Sequence, residues 1–255
     1  MLRPVLLTLA LLFMCTFAER VFSVEARRSS TEDPLVRNNT PGMPPGGKAT
    51  STSKKKPPKK PVNKPCDSER FDGEDRKAAK LSVGSGQVET FSDLPGLIKT
   101  LPSDKSMGAS HKPPISTDST STRVSEEERN VTVKQAWIFT YTREGDEDYH
   151  VILGTDPKVK KKVFFDLEVS GLPPTGSPSE PTLKKVREDF TKHFGITGCI
   201  KDYTDSLFAH PVEVEVTGSL FFDQFHYEHG DSVGHKIAKP KRFWEIHPAT
   251  EIKFK

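Results

Sequence analysis

Beyond Val131 the apolar side chains of this chain fall into a period of two, and that alternation constrains the fold more than any other feature. Val131, Val133, Trp137, Phe139 and Tyr141 take one side while Lys134, Thr140 and Thr142 take the other, as a half-buried strand requires. An acidic turn over residues 144–148 comes next, after which Tyr149, Val151 and Leu153 alternate again, so the two runs read as a hairpin. A third strand carries Val163, Phe165, Leu167 and Val169, and the Gly- and Pro-rich residues 171–178 end it. The period then changes: Leu183, Val186, Phe190 and Phe194 lie on one helical stripe, with Ser179 and Thr182 available as caps, Pro181 in the first turn and Gly195 at the end. Past Cys199, Val212, Val214 and Val216 alternate with Glu213, Glu215 and Thr217 and run into Leu220, Phe221 and Phe222, and a last strand takes Trp244, Ile246, Ile252 and Phe254. Three strands, a helix and two strands is the order of an OB-type five-stranded Greek-key barrel. A helix-capped open sheet shares it. The expectation is a mainly β domain over residues 131–255 with one or two short helices.

The remainder is organised differently. Arg3 precedes an apolar run over residues 4–15 and then Thr16, Phe17 and Ala18, the layout of a secretory signal peptide over residues 1–18 with cleavage open as late as Ala26. The run is too short to span a bilayer and no second one comes after it, so the cleaved chain is expected to be secreted, periplasmic or extracellular, with no transmembrane helix. Residues 24–65 are polar and rich in Lys and Pro, a linker unable to bury enough apolar surface to order itself. Residues 66–130 form an extension. In it Leu94, Leu97, Ile98 and Leu101 mark a short helix capped by Ser92 or Asp93 and ended by Pro102, with a loop over residues 103–130 that packs little.

The formal charge of +3 reflects mainly the linker, where seven lysines fall between Lys48 and Lys64 with no acid among them. Loss of the signal peptide leaves Cys66 and Cys199, expected to form one disulfide in an oxidising compartment. Two unpaired buried thiols are the plainer alternative. Asn130, Val131 and Thr132 have the spacing of an N-glycosylation acceptor, relevant only in a eukaryotic secretory route.

Three blocks carry a resemblance: Asp148-Tyr149-His150-Val151-Ile152-Leu153, then Val214-Glu215-Val216-Thr217-Gly218-Ser219-Leu220-Phe221-Phe222-Asp223, then Trp244-Glu245-Ile246-His247-Pro248-Ala249-Thr250-Glu251-Ile252. In that order they resemble a group of exported bacterial proteins of unassigned function with an OB-like domain. The resemblance covers roughly residues 81–255 and implies the fold and export rather than a reaction. The link from Asp223 to Phe243 departs from it, being longer and adding His229, His235 and several lysines.

That link supplies one candidate site, because His226, His229 and His235 beside Asp223, Glu228 and Asp231 are zinc-type ligands. Solvent-exposed loop histidines, with His247 fixing its strand, are the simpler account. A second candidate is the OB ligand face, with Tyr149 and His150 beside Phe164 and Phe165 and with Lys236, Lys239, Lys241 and Arg242 in the link. Aromatic groups next to cations suit a polyanion, a glycan or a partner protein, while the acidic turn and the export signal argue against nucleic acid. The sequence contains no nucleophile elbow, no H-E-x-x-H, no phosphate-cradling glycine loop and no dinucleotide fingerprint. The expected function is therefore an exported, non-enzymatic binding or interaction module with no cofactor. The alternative is a metal-dependent, phosphodiesterase-like hydrolase built on residues 223–242, with zinc as its metal.

Overall fold

The computed structural model describes residues 68–231 and 233–255. The expected signal peptide, the linker and Cys66 lie outside them. The described chain runs through α1 (Lys77–Lys80), β1 (Val88–Asp93), α2 (Leu94–Ile98), α3 (Asp104–Gly108), β2 (Asn130–Arg143), β3 (Tyr149–Gly154), β4 (Phe164–Val169), α4 (Glu180–His193), β5 (Val212–Phe222), α5 (Gln224–His229) and β6 (Trp244–Phe254). Strands β2 to β6 close on themselves, β2 pairing with β3, β3 with β4, β4 with β6, β6 with β5, and β5 with β2. Only the β4–β6 pairing within this ring is parallel. With α4 between β4 and β5, this is the five-stranded barrel the strand order implied.

Its interior is apolar. Tyr149, Val151 and Leu153 from β3, Phe165, Leu167 and Val169 from β4, and Val214, Val216, Leu220 and Phe222 from β5 meet Trp244, Ile246, Ala249 and Ile252 from β6. Helix α4 closes one end by inserting Val186 and Phe190, whose ring lies 5.2 Å from Tyr141 and 5.3 Å from Tyr149. Pro181 sits in the first turn of α4 and Gly195 ends it at φ 62°, a left-handed conformation that glycine adopts without steric cost. Ser179 does not cap the helix; its hydroxyl instead donates to the Leu81 carbonyl at 2.8 Å. Gly218 is required by close approach, since a Cβ there would lie 2.5 Å from the Pro248 carbonyl oxygen where β5 and β6 shift register.

Strand β2 departs from simple alternation. Its register slips between Val133 and Ala136 against β5 and between Ile138 and Thr140 against β3. Each slip inverts the parity of the residues beyond it. Val131, Val133, Ala136, Ile138 and Tyr141 therefore join the core, and Trp137 and Phe139, expected on the same face as Val131, turn outward.

The extension also differs from expectation. Helix α2 starts where anticipated, with the Asp93 carboxylate accepting from the Gly96 N–H at 2.8 Å, but ends at Ile98, short of Leu101 and Pro102. However, β1 precedes it as an edge strand parallel to β2, and residues 103–130 are not a loosely packed loop. Met107 and Ile115 join the core cluster. Arg76 and Glu127, both buried, form a two-pronged ion pair at 2.6 and 2.7 Å, and the same guanidinium donates to the Phe222 carbonyl at 3.1 Å. Two desolvated charges that complete each other fasten the extension to the barrel.

Candidate functional site

Strands β3 and β4 and the first half of β6 are buried on both faces, the extension reaching the outer side through Lys80 and Arg123 and the α4–β5 connection through Tyr203. Side chains that alternate away from the core converge there: His150 from β3, Asp166 and Glu168 from β4, Glu245 and His247 from β6, and Asp223 just past β5. The turn before β3 adds Glu144, Asp146 and Asp148, α1 adds Lys80, and α5 adds His226. His150, Asp166, Glu168, Asp148, Asp223, Glu245 and His247 are all at most 5% exposed, while the Lys80, Asp146 and His226 side chains at the margin are 15%, 20% and 29% exposed, so the outer face holds a buried polar cluster with a solvent-facing margin.

His150 is its centre. Nδ1 lies 2.5 Å from Glu168 Oε1, and Nε2 lies 3.1 Å from Asp166 Oδ1, off the hydrogen-bond axis. Burial works against charging this ring, but the two carboxylates outweigh it and hold the imidazolium well above its ordinary range. His247 is the opposite case. Its Nε2 lies 3.1 Å from Ser170 Oγ and 3.5 Å from Asp148 Oδ2, and its Nδ1 lies 3.4 Å from Glu245 Oε2. Burial, reinforced by Lys80 and Arg123, pushes it well below the usual imidazole range, so it is neutral. The Lys80 ammonium stands 3.5 Å from Asp146 and stays charged because Asp146, Asp223 and Asp148 overcome its burial.

The carboxyls divide likewise. Burial raises Glu168 to about 8 against the pull of His150. Burial also raises Asp148 and Glu245 well above the carboxylate range, with repulsion from Asp146 and Glu168 on the first and from Asp223 and Glu168 on the second. Asp223 goes the other way: although burial opposes ionisation, its bond to His226 and the Lys80 charge lower it to about 2. The cluster thus sets Asp223, Lys80 and His150, whose charged forms are favoured, beside Glu168, Asp148 and Glu245, whose neutral forms are favoured. Groups of both proton-donating and proton-accepting character stand together.

A cleft of about 970 Å³ runs between the α1–β1 connection and the loop before α4, lined among others by Leu81, Val83, Val88, Thr120, Pro174 and Thr217. No carboxylate or imidazole lines it.

The residues singled out from the sequence scatter. Tyr149 is inside the barrel, 2% exposed and packed on Phe190, because its parity matches Val151 and Leu153. His150 faces outward as a ligand-face residue would, yet is 1% exposed, with the Tyr203 ring 6.1 Å away. Lys236, Lys239 and Lys241 are exposed, whereas Arg242 is bound to Asp104 at 2.9 Å and to the Pro102 carbonyl. The three loop histidines do not converge: His226 Nδ1 meets Asp223, His229 Nδ1 meets the Phe225 carbonyl at 2.7 Å, and His235 Nε2 meets Asp205 at 3.2 Å. Among the described residues no group of three or more histidines, cysteines or acids is arranged to hold a metal ion. Asn130 uses its amide nitrogen on the Gly84 and Gly86 carbonyls at 2.7 and 2.8 Å, and a glycan there would take the place of one of the two donated hydrogens. Cys199 lies in the exposed segment between α4 and β5, and its expected bond to Cys66 falls outside the described residues.

No family model matches the sequence, and no curated protein or solved structure matches it either. The fold and the cluster stand on their own geometry.

The buried cluster escaped sequence reading because Asp166, Glu168 and Glu245 occupy positions that normally face water. One signal did exist. The three blocks of the resemblance contain Asp148 and His150, Asp223, and Glu245 and His247, five members of the cluster.

Proposed function

We propose that this chain is an exported, non-enzymatic binding or interaction module. The observation that carries the reading is the burial of the central acid–base groups and their absence from the lining of the cleft. Active sites place titratable groups of shifted pKa in a cavity where substrate can reach them. Here His150, Asp148, Glu168, Glu245 and His247, whose values are strongly shifted, are buried, and the accessible cleft offers mainly hydroxyls, prolines and aliphatic side chains. The cluster then serves as an internal polar strut that joins the extension to the outer sheet face through Lys80, Asp146, Asp148 and His247. Interaction falls to the exposed surface. The metal-dependent hydrolase gains no support from three loop histidines that each serve a different partner.

Export rests on the N-terminal sequence and on the cysteine pair. Arg143 supports that pair: its side chain donates to the Ser68 carbonyl at 2.6 Å and its backbone N–H to the Ile200 carbonyl at 3.3 Å, which brings the neighbours of Cys66 and Cys199 to one residue. The test is turnover of ester, phosphodiester, glycoside and peptide substrates by the full chain, compared with His150→Gln and Glu168→Gln. No turnover above background is expected. Turnover that either substitution abolishes overturns the reading.

A further inference from the structure

We propose that one end of the barrel docks on an anionic phospholipid surface through two lysine loops, a conclusion that rests on the non-enzymatic reading and gives the module its partner. The loop between β3 and β4 exposes Lys158, Lys160, Lys161 and Lys162, and the link between α5 and β6 exposes Lys236, Lys239 and Lys241. None of the seven is paired to a carboxylate among the described residues. The acids within the two loops are Asp156 and Asp231.

Topology places the loops together. Strands β4 and β6 are parallel neighbours, with Asp166 opposite Glu245, so the segments leading into them open at the same end of the barrel. A row of rings fills the space between: Phe164 to Phe139 at 5.3 Å, Phe139 to Phe208 at 6.4 Å, and Phe208 to His235 at 4.7 Å. Phe164 and Phe208 are half-buried, leaving an apolar strip flanked by lysines.

Both loops are shaped rather than slack. Asp156 accepts from the Lys158 N–H at 2.8 Å and the Thr155 N–H reaches the Val163 carbonyl at 3.1 Å. In the other loop the Ala238 N–H donates to the His235 carbonyl at 3.0 Å with Ala238 buried, a tight turn that carries Lys236 and Ile237 at its apex. Ile237 is 67% exposed and Val159, between Lys158 and Lys160, is 40% exposed. The other exposed large aliphatics, Val83 and Val88, border the cleft. Thus each lysine loop presents one aliphatic side chain to solvent.

That pairing selects the partner. A dissolved polyanion attracts the lysines but gains nothing from a protruding isoleucine, whereas an acidic bilayer attracts the lysines and buries the aliphatic tips in its interface. The cations are all lysines, which act as point charges, and the one arginine of these loops is engaged with Asp104 and Pro102. A diffuse field of lipid headgroups needs no forked donor, whereas specific phosphate recognition favours one.

The experiment is co-sedimentation of the full chain with vesicles of equal parts phosphatidylcholine and phosphatidylglycerol, against vesicles of phosphatidylcholine alone. All variants keep residues 1–67, so that any contribution from them cancels. Binding confined to the acidic vesicles and weakened by salt is expected. A Lys160→Gln/Lys161→Gln/Lys162→Gln variant is expected to bind on the order of 100-fold more weakly, taking each lysine near the surface at roughly fivefold. Ile237→Ser, at an exposed position that leaves the fold alone, is expected to weaken binding on the order of 10-fold. Acidic-vesicle binding unchanged in both variants overturns the proposal, as does no vesicle binding at all. Equal affinity for heparin or poly-dT with Ile237→Ser silent also overturns it, in favour of a soluble polyanion. The turnover assay reports separately: lost vesicle binding without turnover sinks only the lipid claim, and turnover that depends on Glu168 sinks the module reading whatever the vesicles show.

Discussion

Raising the pH from 6.5 to 8 is expected to weaken the domain, and Glu168→Gln to remove much of that loss. Glu168 titrates at about 8 in the folded chain against an ordinary value of 4.5, so between these values the folded state holds a proton the unfolded state has released. Its stabilisation is complete below pH 4.5 and is lost as pH rises through 8. At about 1.4 kcal/mol per pH unit this comes to roughly 5 kcal/mol over the whole range and roughly 2 kcal/mol between pH 6.5 and 8. His247 opposes the trend in acid, because its depressed value makes the folded state resist protonation below 6.5. Above 6.5 that opposition ends, and the raised values of His150, Asp148 and Glu245 act in the same direction as Glu168. Chemical denaturation at pH 6.5, 7, 7.5 and 8, monitored by tryptophan fluorescence, measures the slope. Glu168→Gln retains an acceptor for His150 and carries no proton to lose, so its slope is expected to be shallower by about 1 kcal/mol per pH unit. Stability that is flat or rises over this window, or a variant with the wild-type slope, refutes the raised titration of Glu168.

The same packing sets two further outcomes. Arg76→Ala leaves the Glu127 carboxylate buried without its guanidinium and is expected to cost about 3 to 5 kcal/mol in urea denaturation; a loss below about 1 kcal/mol would mean that the extension is not held by this pair. Non-reducing peptide mapping is expected to recover Cys66 linked to Cys199, and Cys199→Ser to cost on the order of 3 to 5 kcal/mol in the chain-entropy model of a long closed loop. Free thiol at both positions removes the bridge.

The sequence revealed most where one physical pattern acted alone. In β3 and β4 the alternating residues Tyr149, Val151 and Leu153 and Phe165, Leu167 and Val169 are the ones that enter the core, and in α4 Leu183, Val186 and Phe190 are buried, because no bulge interrupts those elements. Strand β2 misled at Trp137 and Phe139, since a bulge is set by backbone pairing with two partners and leaves no mark in composition. The extension was read as loosely packed because its apolar residues are sparse, and its attachment depends on Arg76 and Glu127, a pair 51 positions apart. The polar cluster was hidden by the same logic. An acid on the far side of a strand ordinarily faces water, and only segments distant in sequence, among them those carrying Lys80 and Tyr203 into the group, make Asp166, Glu168 and Glu245 interior residues.

Acylation of histidine at neutral pH, mapped by peptide mass spectrometry, probes the buried outer face most directly. His210 and His229, which are exposed, are expected to react readily, while His150 and His247 stay unmodified until the chain is denatured. Modification of His150 in the native protein at a rate comparable to that of His210 would show that solvent and substrates reach the cluster, and the account of a closed, non-catalytic module would be wrong.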